Sequence, residues 1–96
     1  MAALKEKFQK EFGDEEWIVM APHYKRGALI LVDDNLDIID IAIAVAEDNS
    51  TLIQDLITSG KLKKPTPEQV SVWEKQRTRF EFVIVQPFVL AREIGK

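Results

Sequence analysis

The chain has 96 residues, 46% of them hydrophobic, and sets 13 Lys and Arg against 16 Asp and Glu for a net charge of −3. That length supports one buried core, so a single domain over 1–96 is expected, and the mild acidity argues against broad attraction to nucleic acid or anionic membrane. The absence of cysteine excludes disulfides, thiolate nucleophiles and cysteine zinc sites, and suits a reducing cytoplasm.

No apolar run reaches the roughly 20 residues of a membrane span. The opening MAALKEKFQKEF carries charge throughout, so neither a membrane segment nor a secretory signal is expected. In chain order, Leu4, Phe8 and Phe12 fall at i, i+4, i+8 and predict a helix over 2–12, with Gly13 as its left-handed terminus and Asp14 capping the next segment. Trp17, Met20 and Tyr24 predict a second helix over 15–26, kinked or split at Pro22.

The stretch 28–46 reads as a β-hairpin. ALILV at 28–32 suits a buried strand, Asp33, Asp34 and Asn35 suit a turn, and Ile39, Ile41, Ile43 and Val45 alternate at period two. The rival is an amphipathic helix with Leu36, Ile39, Ile43 and Ala46 inward, which leaves Ile41 on the polar side. Downstream, Ser50 caps a predicted helix over 51–59 that carries Leu52, Ile53, Leu56 and Ile57 and ends at Gly60. After a basic connection at 61–65, Thr66, Pro67 and Gln69 form a capping box with proline at the first helical position, predicting a helix over 67–76 with Val70 and Trp73 inward and Val72 as a further inward candidate. FEFVIV opens a strand over 80–90 that Pro87 interrupts, with 88–91 continuing at an edge and 92–96 a fraying polar tail. The expected fold is α+β: a three-stranded, largely antiparallel sheet covered by helices.

Candidate chemistry is sparse. His23 is the only histidine, so a multi-histidine metal site within one chain is excluded. Its neighbours make PHYKRG the densest cluster: Trp17, His23, Tyr24 and Arg26 combine an imidazole that titrates near neutrality, aromatic surface and a guanidinium able to grip a carboxylate or phosphate. The structural alternative puts Tyr24 in the core and the cations on a helix end, where they complement its dipole. Asp33, Asn35 and Asp37 open like an EF-hand loop, but Ile38 and Ala44 stand where glycine and glutamate are required, so a solvated turn is the better reading and no metal is expected. The glycines are scattered, no serine has a nucleophile context, and the acids at 11–16 read as an exposed helix start; no cofactor and no catalytic residue is assigned. Lys61, Lys63, Lys64, Lys75, Arg77 and Arg79 would form a basic patch only if their two segments meet.

Trp17, Met20, Pro22, His23, Arg26 and Gly27, the run LILVDDNLDIIDIAIAVAEDN, GKLKKPTPEQ with Trp73, and VIVQPFVLARE together resemble a family of small bacterial proteins, catalogued only as a domain of unknown function and found in proteobacteria and cyanobacteria. The resemblance covers about residues 14–93. It departs at Phe88, where the family commonly has Trp, and at Leu56 and Ile57, where it has Trp-Leu. It implies a bacterial cytoplasmic protein and supplies no activity. The leading expectation is a non-enzymatic interaction module, a homodimer meeting through a strand edge or helix face and contacting an unknown protein partner. A small-anion or metabolite site at His23 and Arg26 is the alternative, and nucleic-acid binding through the basic residues of 61–79 ranks below it.

Overall fold

The computed structural model describes residues 2–94, with side chains from residue 4 onward. Ten elements follow one another: α1 (Ala2–Glu11), β1 (Gly13–Glu16), α2 (Trp17–Lys25), β2 (Leu29–Val32), α3 (Ile38–Ala46), α4 (Ser50–Thr58), β3 (Leu62–Lys63), α5 (Pro67–Gln76), β4 (Arg79–Val85) and β5 (Phe88–Glu93). The fold is α+β as expected, but the sheet has five strands rather than three, in the order β1-β4-β5-β2-β3. Three of its four neighbouring pairs are antiparallel; β2 and β5 at its centre run parallel.

Strand alternation divides the core in two. On one face Val32, Val83, Val85 and Leu90 pack with Phe8, Ile38, Ile41, Ala42 and Leu56, which belong to α1, α3 and α4. On the other, Leu29, Leu31, Phe80, Val89 and Ala91 pack with Trp17, Met20 and Trp73 of α2 and α5. The sheet is thus the middle of three layers, apolar on both sides.

The expected hairpin over 28–46 is not formed. Only Leu29–Val32 is strand, and the isoleucine-rich segment is the helix α3, started by the Asp37 carboxylate accepting from the Ile39 N–H at 2.9 Å. The reason is burial on several sides. α3 packs against α1, α4, β4 and β5, so only Asp40 and Ala46 are exposed. Ile38, Ile41, Ala42 and Val45 sit at i, i+3, i+4 and i+7, a helical set that coexists with the period-two isoleucines, and tertiary packing overrides their strand preference.

The other expected helices appear with shifted ends. The segment 15–26 begins as strand, because Gly13–Glu16 pairs antiparallel with Arg79–Phe82; Gly13 is strand rather than a left-handed terminus. α2 runs unbroken through Pro22, which is exposed. Asn49, not Ser50, caps α4, accepting from the Leu52 N–H at 3.3 Å. α5 and its capping box lie where the sequence places them. α2 and α4 both end with a left-handed glycine, Gly27 at φ 76° and Gly60 at φ 79°. Each lets the next residue donate back into the helix, Ala28 to the His23 carbonyl and Lys61 to that of Leu56. Pro87 lies in the tight turn between β4 and β5, preceded by a cis bond, and β5 is a central strand rather than an edge.

Candidate functional site

Trp17 and Tyr24 are packing residues. Trp17 is 3% exposed, and its ring centroid lies 5.1 Å from Trp73, 5.8 Å from Tyr24 and 5.9 Å from Phe80. His23 and Arg26 sit one turn apart at the end of α2, where an Arg26 Nη2 donates to the His23 Nδ1 at 2.9 Å. Arg26 Nη1 also donates to the Pro87 carbonyl at 3.3 Å, tying α2 to the β4–β5 turn. Burial, and secondarily the Arg26 charge, hold the His23 pKa below the ordinary imidazole value. A guanidinium can only donate, so Nδ1 accepts, and the tautomer that fits this contact carries its proton on Nε2. The structure thus brings His23 and Arg26 together and places Trp17 and Tyr24 in the aromatic core beneath.

The lower-ranked basic patch divides between regions. Lys63 lies on β3 at one sheet edge, whereas Arg79 lies on β4 beside the opposite edge strand and pairs with Asp14 at 3.3 Å. The EF-hand-like acids serve the backbone: Asp33 accepts from the Asn35 N–H at 3.0 Å and Asp37 caps α3. No cluster of three His, Cys, Asp or Glu among the described residues is arranged to hold a metal ion.

The geometry marks three other places. At the carboxyl ends of the parallel pair, where open α/β sheets tend to bind ligands, a polar cleft of about 130 Å³ is lined by Asp33, Asp34, Lys61, Gln69, Arg92 and Glu93 among others. Its side chains are largely committed to the fold. Trp73 Nε1 donates to Glu93 at 2.7 Å, and Arg92 donates to Glu81 at 3.0 Å and to the Leu36 carbonyl at 2.6 Å. At roughly 30 Å³ per water this space suits an ion or a few waters. Arg92 and Glu93 escape the sequence reading, which leaves them in a fraying tail; the β4–β5 register, with Arg92 opposite Glu81, draws them in.

On the α2–α5 face a shallow cleft of about 430 Å³ has Trp17 and Trp73 in its lining, with Ile18, Glu74 and Arg77 around them. Ile18 is 75% exposed, and Val72 of α5, an inward candidate in the sequence, is 47% exposed instead. On the opposite face an apolar cleft of about 520 Å³ opens between α4 and the sheet, lined by Ile30, Ile53, Ile57, Phe88 and Leu90, with Asp48, Lys63 and Lys64 also bordering it. Five separate segments build it, so no local sequence pattern announces it.

No helix among the described residues is long and apolar enough to cross a membrane. No protein of curated function matches the chain. The solution structure of PA1075 from Pseudomonas aeruginosa is similar, with a TM-score of 0.83 and 26% sequence identity over 100% of this chain and 89% of that one. A family model described as "Protein of unknown function (DUF2288)" matches residues 3–93, and the chain belongs to that family.

Proposed function

We propose that the protein is a non-enzymatic interaction module of the cytoplasm that self-associates as a homodimer through its α2–α5 face. The observation that carries this reading is Ile18, a large aliphatic side chain 75% exposed beside a cleft with two tryptophans in its lining. Such a side chain gains by being covered. Glu74 and Arg77 lie one turn apart on the same rim, so a two-fold axis passing between them would set the Glu74 of one copy against the Arg77 of the other.

Charge steers association away from the sheet edges. β1 exposes Asp14 and Glu15, so pairing two β1 strands antiparallel brings acids together. β3 is two residues long and is flanked by Lys61 and Lys64. Short, charged edges of this kind discourage strand addition. Light scattering at micromolar concentration should report twice the 11.0 kDa chain mass, and Ile18→Asp should return the single-chain mass. A mass of one chain for the unaltered protein across the micromolar range overturns the reading.

A further inference from the structure

We infer that the cleft between α4 and the sheet binds an amphipathic anion, a medium-chain carboxylate whose hydrocarbon tail lies along Ile30, Ile53 and Ile57 and whose head group meets Lys64. The cleft lies on the face covered by α1, α3 and α4, between α4 and the sheet. α3 packs over β4 and β5 while α4 packs over β3, and the left-handed turn at Asp48, φ 56°, separates them. Between them Ile30 of β2 is only half-buried, and Ile57 of α4 is 50% exposed. A volume of about 520 Å³ falls within the range of small-molecule sites, roughly 300–1,000 Å³.

Lys63 and Lys64 both border the cleft, and the Lys64 Nζ lies 4.0 Å from where a Cβ on Gly27 would stand. Arg26 lies outside the lining, its guanidinium held by the Pro87 carbonyl and His23 Nδ1. Asp48 is the acidic residue in the lining, against Lys63 and Lys64. An anionic head group beside Lys64 therefore finds favourable charge, while the aliphatic walls ask for a tail without polar atoms.

The test is calorimetric titration with octanoate, decanoate and dodecanoate below their micelle-forming concentrations, alongside decanol and decyltrimethylammonium. Decanoate should bind one per chain, with affinity rising about fourfold for each added methylene until the cleft is filled. Lys64→Glu should weaken decanoate about tenfold and leave decanol unchanged. Ile57→Asp should weaken both, and Ile18→Asp, on the other face, neither. Both Lys64 and Ile57 are well exposed, and circular dichroism checks that the variants fold. Absence of saturable decanoate binding, equal affinity for decyltrimethylammonium, or decanoate binding indifferent to Lys64→Glu overturns the assignment.

Discussion

Trp73→Phe and Trp17→Phe form a matched pair. Each replaces an indole by a phenyl ring in the same aromatic cluster, at positions 2% and 3% exposed, so the loss of packing is closely shared. What differs is the ring N–H. Trp73 donates to the Glu93 carboxylate at 2.7 Å, a charge-assisted bond of the kind that contributes about 1.5–3 kcal/mol. Trp17 Nε1 is buried without a hydrogen-bond partner among the described residues, and removing such a donor relieves a desolvation cost of about 1–3 kcal/mol. Glu93 is only half-buried, which favours the lower end of the first range. Trp73→Phe should therefore destabilise more than Trp17→Phe by about 2 kcal/mol or more. At a denaturant slope of about 2 kcal/mol per molar, the urea midpoints separate by about 1 M. Unfolding is followed by far-ultraviolet circular dichroism at one fixed protein concentration, because association stabilises the folded state by mass action. Coincident midpoints, or a lower midpoint for Trp17→Phe, would refute the hydrogen-bond assignment.

Two further outcomes are expected. The folded chain disfavours the His23 imidazolium through burial first and Arg26 second, so the folded state takes up this proton less readily than the unfolded one. The associated stability is present above the ordinary value of about 6.5 and is lost as pH falls through the lower folded value. Nuclear magnetic resonance titration should show a His23 midpoint below that ordinary value, and Arg26→Met should raise it only partway; a midpoint at or above the ordinary value contradicts the geometry. Arg92→Met removes both the bond to the Leu36 carbonyl and the pairing with Glu81, whose side chain is 25% exposed. It should cost about 2–3 kcal/mol in urea unfolding, with Arg92→Met/Glu81→Met recovering part of the loss. A cost below about 1 kcal/mol would place Arg92 among ordinary surface residues.

How far the fold can be read from the sequence depends on whether a local interaction or a distant one decides each element. α5 is legible because Thr66, Pro67 and Gln69 settle its start among themselves, through reciprocal bonds of 3.0 and 3.2 Å. α3 is not, because its alternating isoleucines favour a strand and only burial among α1, α4 and the sheet reverses that preference. β1 is invisible in GDEE, which has no apolar residue; its pairing is dictated by Arg79–Phe82 far along the chain. The single strand expected over 80–90 becomes two because Pro87 turns the chain back rather than interrupting one run.

The functional residues divide in the same way. His23 and Arg26 are close in the structure because they are one helical turn apart in the sequence, and that proximity can be read directly. The aromatic role of Trp17 depends on Trp73 and Phe80, which arrive from the far half of the chain. The apolar cleft takes residues from β2, α3, α4, β3 and β5, so no single segment encodes it.

Isotope-filtered NOE spectroscopy on an equal mixture of labelled and unlabelled chains tests the proposed self-association most directly. Contacts between copies should arise from the Ile18 and Val72 methyl groups. Intermolecular contacts confined to the β1 or β3 edges, or none at concentrations where the dimer should be populated, would contradict it.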